Sequence, residues 1–228
     1  MKLSSSFHSK KARALRNPAS LQRSAAFTLI EMLLVVAIIG ILVGLATPTL
    51  FRTLQGNRLT TAGERLLNQI ALVQQMAATM NRPMEMRFYQ YEKENELVGG
   101  LQFRTYQVFE LPNASTEAQA GSGSQPVTET PSGEVVDLGE SIVIASRSSL
   151  TPFAAGPLLD DGRKYVQDYS AKYFAVRFYP NGTTNLPKNI SNSYLTLISD
   201  SDVEKDPPAN FYTIQVDPYT GKARPYRP

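Results

Sequence analysis

The chain of 228 residues contains no cysteine and no tryptophan, and its one histidine, His8, lies near the N-terminus. Without cysteine the protein has no disulfide and no thiolate centre, so cysteine usage does not identify its compartment. Nucleophilic pairs of the Ser-His or Cys-His type need a histidine, which is also the commonest metal ligand. The composition therefore predicts a protein that is not an enzyme, and it gives no indication of a cofactor.

Acidic residues are absent from residues 1–26, which contain six lysines and arginines. Because all 20 acidic residues follow this segment, the rest of the chain has 17 basic against 20 acidic side chains. The formal charge of +3 therefore reflects the first segment and does not predict a nucleic-acid partner. Basic residues that flank an apolar segment stay in the cytoplasm, so we expect the remainder of the chain outside the inner membrane.

An apolar run follows the basic segment. Phe27 to Leu50 is 24 residues, or about 36 Å of helix, which is enough to span a bilayer. Glu31 is the only charged residue in it, and a carboxylate in such a run needs a partner. If the chain is cut between Ala26 and Phe27, the new α-amino group lies one helical turn from Glu31. The two charges can then neutralise each other within or between subunits.

The run from Ala26 to Val36, AFTLIEMLLVV, resembles the class III signal of type IV prepilins and type II secretion pseudopilins. The resemblance implies that a prepilin peptidase cuts before Phe27 and methylates its new amine. It also implies that other pilin or pseudopilin subunits are partners and that Glu31 acts in assembly. Ala26 departs from the glycine that the family usually has before the cut.

Two other interpretations of this region remain open. Gly44-Leu45-Ala46 is a small-x-small sequence of the kind that ends an ordinary secretory signal peptide. The run from Phe27 to Leu50 is also long enough for a plain single-pass anchor. Neither interpretation explains the carboxylate of Glu31.

The helix is predicted to continue through residues 51–82, because apolar side chains recur there at three- and four-residue steps and Arg82-Pro83 ends the pattern. The sequence thus predicts four segments. They are a cleaved leader (1–26), a transmembrane half-helix (27–50), an amphipathic half-helix (51–82) and a β-rich head (83–228).

Within the head, alternating apolar and polar residues predict antiparallel strands. The strands are expected at 84–91, 101–111, 135–138, 141–144, 173–179, 194–198, 211–216 and 222–226. Asn181-Gly182 predicts a hairpin turn after the fifth of them, and residues 113–134, rich in Ser, Thr, Gly and Pro, predict a mobile loop. The fold class is α+β and pilin-like, with a long N-terminal helix packed on an antiparallel head.

The head resembles the minor pseudopilin family called GspH or FimT through the run FYPNGT at residues 178–183, which matches a Phe-x-Pro-Asp/Asn-Gly signature. It resembles more specifically Verru_Chthon cassette protein D, through residues 81–91, the hairpin and residues 209–218.

Two charged groups of the head are candidate binding sites. Asp200, Asp202, Glu204 and Asp206 alternate along one segment and could give oxygen ligands to calcium, although Lys205 and the lack of a turn glycine argue against it. Lys222, Arg224 and Arg227 interleave with tyrosines, and residues 221–224 are similar to the Gly-Arg-x-Arg motif with which FimT-type minor pilins hold DNA. Basic groups contact phosphates and aromatic rings stack on bases.

The sequence therefore predicts a non-enzymatic structural subunit of a type IV pilus or type II secretion-like filament, anchored in the inner membrane with its head in the periplasm. A DNA-binding minor pilin and a monomeric membrane-tethered binding protein are the alternatives.

Overall fold

The computed structural model describes residues 27–91, 100–112, 129–160, 164–166, 169–170 and 172–227. The predicted leader, with Ala26 and His8, lies outside these residues. The fold is α+β, since one long helix, α1 (Leu29–Met80), precedes an antiparallel sheet. Two compact units divide between Thr47 and Pro48. No helix in the described part of the chain combines the length and the apolar character that crossing a membrane requires.

Local hydrogen bonds define both ends of α1. Thr28 caps the start, because its carbonyl oxygen and its Oγ1 accept from the Glu31 N–H at 3.1 and 3.2 Å. At the other end, Asn81 adopts a φ of 51° and the Arg82 N–H donates to the Ala77 carbonyl at 3.3 Å, which turns the chain out of the helix. Pro83 follows, so the predicted helix end is confirmed within two residues.

The strands that follow α1 are β1 (Met84–Tyr91), β2 (Gln102–Glu110), β3 (Thr130–Pro131), β4 (Val136–Asp137), β5 (Ile142–Ile144), β6 (Lys164–Val166), β7 (Tyr169–Ser170), β8 (Lys172–Phe178), β9 (Tyr194–Ser199), β10 (Phe211–Val216) and β11 (Ala223–Tyr226). Eight of them were predicted from the alternation in the sequence, and β3, β6 and β7 were not. The main sheet has the order β11-β10-β9-β5-β2-β1-β8, and β6 pairs separately with β7.

In the second unit, the helix lies on one face of the sheet. Its buried residues recur at three- and four-residue spacing and pack against the inward residues of the strands. These helical residues are Leu59, Ala62, Leu66, Ile70, Val73 and Ala77. We call the opposite face of the sheet the outer face.

Residues 130–144 run antiparallel beside β2 as three short strands, with partners from Glu110 opposite Thr130 to Phe103 opposite Ile144. The prediction of one loop over 113–134 is therefore wrong at its C-terminal end, and residues 113–128 lie outside the described residues. Residues of the segment 130–144 form strands because their backbone groups pair with those of β2. Further bonds, such as the Ser132 N–H donating to the Val108 carbonyl at 2.8 Å, satisfy groups of β2 that burial would otherwise leave unpaired.

The hairpin predicted at Asn181-Gly182 is present but short. The Gly182 N–H donates to the Tyr179 carbonyl at 2.9 Å, and the returning chain forms one bridge with β8, in which Phe178 lies opposite Thr184. Two bonds form this bridge, from the Tyr179 N–H to the Thr183 carbonyl at 2.9 Å and from the Asn185 N–H to the Arg177 carbonyl at 3.1 Å. The next long strand, β9, joins β5 and β10 instead. The residues Asn181-Gly182 thus reverse the direction of the chain after β8. The partners of β9 depend instead on which strands its apolar face can pack beside.

Candidate functional site

The N-terminal part of α1 presents an uncovered apolar surface. Every residue from Phe27 to Leu45 is exposed, and Glu31 is the only charged side chain among them. Isolated soluble proteins rarely expose contiguous apolar surface beyond a few hundred Å², and larger patches mark sites of association with protein or lipid. We call residues 27–45 the apolar stem.

Glu31 lies in the first turn of α1, one turn from Phe27, and both side chains are exposed. A carboxylate in this turn interacts favourably with the partial positive charge of the helix N-terminus. Phe27 precedes the helix, because the capping residue Thr28 separates it from Leu29. Ala26, the residue predicted to precede the cut, lies outside the described residues.

The structure does not bring together the four acids proposed for calcium. Asp202 is 5 % exposed and pairs with Lys205 at 2.5 Å, while Asp206 pairs with Arg147 at 3.2 Å. In the same segment Asp200 is half-buried and Glu204 is exposed. In the described residues no group of three or more potential ligands lies close enough to hold a metal ion. Lys205 and Arg147 thus already neutralise two of the four carboxylates of this segment.

A groove of about 510 Å³ lies between α1 and the segment from Ser199 to Asn210. Leu59 and Asp202 line it together with hydroxyl and amide side chains. The ion pair with Lys205 occupies the one buried carboxylate of the groove. The two serine hydroxyls of the lining, Ser199 and Ser201, hydrogen-bond to each other at 2.9 Å.

The three basic residues near the C-terminus lie on two sides of the sheet. Arg224 is opposite Gln215 and Ala223 is opposite Val216, so Ala223 packs toward the helix and Arg224 lies on the outer face with Lys222. Arg227 is on the helix side, where its guanidinium donates to the Gly56 carbonyl at 3.3 Å and to Thr60 Oγ1. The structure therefore does not gather Lys222, Arg224 and Arg227 into one basic patch.

An acidic residue lies next to the two outer-face cations. Asp217 accepts from the Tyr219 N–H and from Thr220 Oγ1, each at 2.9 Å. These hydrogen bonds, with a further contribution from the charge of Arg224, lower the pKa of Asp217 below its usual 3.8.

Sequence reasoning missed a buried charged network on the outer face. Arg87 is 2 % exposed, and its guanidinium carbon lies 4.2 Å from the ring centre of Phe109 and 4.8 Å from that of Tyr173. Its Nε donates to Glu85 at 2.6 Å and its Nη2 donates to Glu129. The cation is thus held between two aromatic faces and two carboxylates.

Glu85 links this network to a second arginine. Its Oε2 accepts from Arg177 at 2.8 Å, and Glu85 is itself 3 % exposed. Burial alone lowers the pKa of Arg87, but the hydrogen bonds to Glu85 and Glu129 outweigh it and raise the pKa above its usual value. In the sequence, Glu85 and Arg87 alternate with methionines, a pattern that is typical of a strand with one solvated face. A signal for burial was available in the aromatic residues Tyr89, Phe109 and Tyr173, which occupy the same face.

The FYPNGT signature forms a contact between two turns. Gly182, with a φ of 85°, and Gly221, with a φ of 67°, lie so close that a Cβ atom at Gly221 would be 2.9 Å from the Gly182 carbonyl oxygen. The Thr184 N–H donates to the Pro218 carbonyl at 3.0 Å, and Gln74 of α1 donates to the Thr220 carbonyl at 2.5 Å. The signature therefore fixes the end of β8 against the β10–β11 turn and the helix.

Comparison with known proteins adds a family motif at the N-terminus. Residues 21–47 match the family model of the prokaryotic N-terminal methylation motif. Comparison with curated proteins gives no match. A solved structure, the type IV minor pilin FimU of Pseudomonas aeruginosa strain PAO1, aligns with a TM-score of 0.33 and 11 % identity, over 75 % of this chain and 93 % of that one. The protein thus resembles the type IV pilins in its N-terminal methylation motif, which lies at the start of a long helix that precedes an antiparallel sheet.

Proposed function

We propose that the protein is a structural subunit of a filament of the type IV pilus or type II secretion kind, processed between Ala26 and Phe27 and assembled through the N-terminal half of α1. One observation supports this most directly. The apolar stem is exposed along its whole length, contains a single acid, and lies within the matched methylation motif. The partners are a prepilin peptidase and other pilin-like subunits.

The physical argument starts from the cost of leaving the stem in water. Each buried Leu, Ile or Val side chain contributes about 1.5–3 kcal/mol relative to exposure, so a bundle of equivalent stems is strongly favoured. In such a bundle an unpaired carboxylate costs several kcal/mol. Pairing Glu31 with the Phe27 amine of a neighbouring subunit removes that cost at one axial position only. The pair therefore fixes the register of the assembly.

Before assembly, the inner membrane covers the stem, and the basic leader holds the N-terminus in the cytoplasm. Residues 83–228 then form a head outside that membrane and present the surface that distinguishes this subunit from its neighbours. No observation favours the DNA-binding alternative, because the three basic residues lie on two sides of the sheet. The work of the subunit is assembly, and it needs no cofactor.

Intact mass of membrane-extracted protein tests the processing step. A chain that begins at methylated Phe27 is the expected result. A start at Thr47 would identify an ordinary secretory signal peptide, and retention of Met1 would identify a plain anchor. Either outcome rejects the proposal.

The assembly step is tested with Glu31→Ala and with Glu64→Ala, which removes an exposed acid from the same helix outside the stem. Crosslinking between subunits in membranes should fall for Glu31→Ala and stay unchanged for Glu64→Ala, while protease resistance of the head is the same in both. Equal crosslinking in the two variants would reject the role of Glu31 in register.

A further inference from the structure

The first and last strands in the order of the main sheet, β11 and β8, differ in how their outer sides are covered. At the β8 edge, the N–H and carbonyl of Tyr173 bond with Leu159 at 2.9 and 2.8 Å. Nearer its end, the Arg177 N–H donates to Asn185 Oδ1 at 2.8 Å, and the Arg177 carbonyl accepts from the Asn185 N–H at 3.1 Å. Leu159 and Asn185 thus occupy the outward backbone groups of β8 at Tyr173 and Arg177.

The β11 edge has no further strand beside it in the described sheet. Which of its backbone groups point outward follows from the register. The Asp217 N–H donates to the Lys222 carbonyl at 2.9 Å, and Gln215 and Thr213 lie opposite Arg224 and Tyr226. Antiparallel pairing alternates, so Arg224 and Tyr226 direct their backbone groups toward β10. The outward positions are therefore those of Ala223 and residue 225.

The bond on the other side of β10 supports this assignment. The Val216 N–H donates to the Ser193 carbonyl at 2.8 Å, so Val216 and Ile214 direct their backbone groups toward β9. The intervening residues Gln215 and Thr213 are left to bond with β11. Residue 225, one of the two outward positions, is proline. Because residue 225 points away from β10, its missing N–H removes no hydrogen bond between β10 and β11. The proline removes only a hydrogen bond that a further strand outside β11 would accept.

One way for a second copy of the chain to extend the sheet at this edge is antiparallel pairing of β11 with itself. In the symmetric register centred on Arg224, Ala223 of one copy faces residue 225 of the other, and Arg224 faces Arg224. Proline at 225 removes half of the hydrogen bonds that this pairing would form. The two arginines, directly opposite each other at the closest type of cross-strand pair, repel one another.

We propose that Pro225 and Arg224 prevent β11 from pairing with a strand of another copy, so that the sheets of two heads do not join into one. An exposed edge strand is a template for pairing with another chain, and proline and charge are two ways in which proteins block it. Because this edge is blocked, neighbouring heads contact each other there through side chains and not through backbone pairing. This role of the two residues is independent of the function proposed above, since it concerns any two copies of the head at high local concentration.

The test uses the absence of native cysteine. Arg224→Cys and the double variant Arg224→Cys/Pro225→Val are prepared as full-length protein in detergent, and they differ only at residue 225. Opposed residues at a non-hydrogen-bonded antiparallel pair lie about 4.5 Å apart, within the range that a disulfide accepts. Under mild oxidation, disulfide-linked dimer should form at least tenfold faster in the double variant. Equal rates in the two variants would overturn the role of Pro225.

The part that Arg224 plays is measured separately. Sedimentation of Pro225→Val is compared with that of Arg224→Thr/Pro225→Val, and the second should associate at lower concentration. Equal association would overturn the charge component. Because the stem is the same in all variants, association through it cancels in each comparison. Far-UV circular dichroism and thermal unfolding establish that each variant is folded, which we expect because residue 225 makes no bond to β10.

Discussion

Gly63 of α1 lies directly against the ring of Tyr212 on β10, so closely that a Cβ atom at position 63 would be within 2.5 Å of the Tyr212 Cε1 and Cγ atoms. Both residues are buried, and Tyr212 belongs to the main core. Glycine in a helix interior costs about 1 kcal/mol relative to alanine. Because Gly63 has no side chain, the helix backbone lies close to the sheet at this point, with only the Tyr212 ring between them.

Gly63→Ala should therefore destabilise the protein even though alanine is the better helix former. The added methyl forces the Tyr212 ring or the helix to move, which costs about 1–3 kcal/mol in a packed core. Gly56→Ala is the matched control, because its Cβ would meet Asn210 Nδ2 and Arg227 Nη2 at 3.4 and 3.6 Å, ordinary contact distances. Urea unfolding in detergent, followed by circular dichroism, measures both. A stabilised Gly63→Ala would contradict the close approach.

Glu85 and Arg87 should behave as a coupled pair. Glu85→Ala removes a carboxylate that pairs with the buried Arg87 and is expected to cost about 3–5 kcal/mol of unfolding free energy. The double variant Glu85→Leu/Arg87→Met replaces both charges with apolar groups of similar size, and its cost should be well below the sum of the single changes. A double-mutant cycle by urea unfolding measures the coupling. Additive costs would show that the two side chains stabilise the sheet independently.

The turn of Asp217 predicts a dependence of stability on acid pH. Because the folded pKa of Asp217 is lowered, its contribution is present above the usual pKa of 3.8 and is lost as the pH falls through the folded value. The melting temperature of Asp217→Asn should therefore lie below that of the wild type at pH 7, and the difference should shrink below about pH 4. A difference that does not change with pH would assign the effect to lost hydrogen bonding rather than to charge.

The divided basic residues predict weak binding to DNA. At most the two outer-face cations, Lys222 and Arg224, can contact one duplex together. Two phosphate contacts give a log–log salt slope near −1.8, too shallow for firm binding at physiological salt. Fluorescence anisotropy with labelled duplex, at two salt concentrations, compares the wild type with Lys222→Ala/Arg224→Ala.

The single variant Arg227→Ala is the control for that titration, because Arg227 bonds to the helix at Gly56 and Thr60. It should lower stability without changing the salt slope. Micromolar or tighter binding at 150 mM salt that the double change abolishes would restore the DNA-uptake interpretation.

The sequence predicted the positions of most strands but not their order in the sheet. Strands β1, β8, β9 and β10 show alternation of apolar and polar residues, and they lie within a residue or two of their predicted bounds. The pairing of β9 with β5 was not predictable, because it joins segments separated by a long stretch of chain and depends on which apolar faces meet. The short strand β3 also escaped prediction, since it has only two residues, one of them Pro131, and it forms because β2 offers backbone partners.

In the candidate site, too, local features were predictable from the sequence and contacts between distant residues were not. The methylation motif at residues 21–47 depends on contiguous residues, and sequence alone was sufficient to find it. The separation of Arg227 from Arg224 depends on strand alternation and on the position of α1, which spacing along the chain does not give. The burial of Arg87 likewise depends on Tyr173 and Glu129, residues that come close only when the sheet is complete.

The contact between the Gly182 and Gly221 turns joins the two opposite edges of the sheet, since one turn follows β8 and the other connects β10 to β11. Fraying of an ordinary edge strand is local and independent of the far edge. Here opening of β8 removes packing from the β10–β11 turn, and the reverse also holds. We therefore expect amide hydrogens of β8 and β11 to exchange with solvent through a shared opening event, so that strands at the extremes of the sheet belong to one cooperative unit.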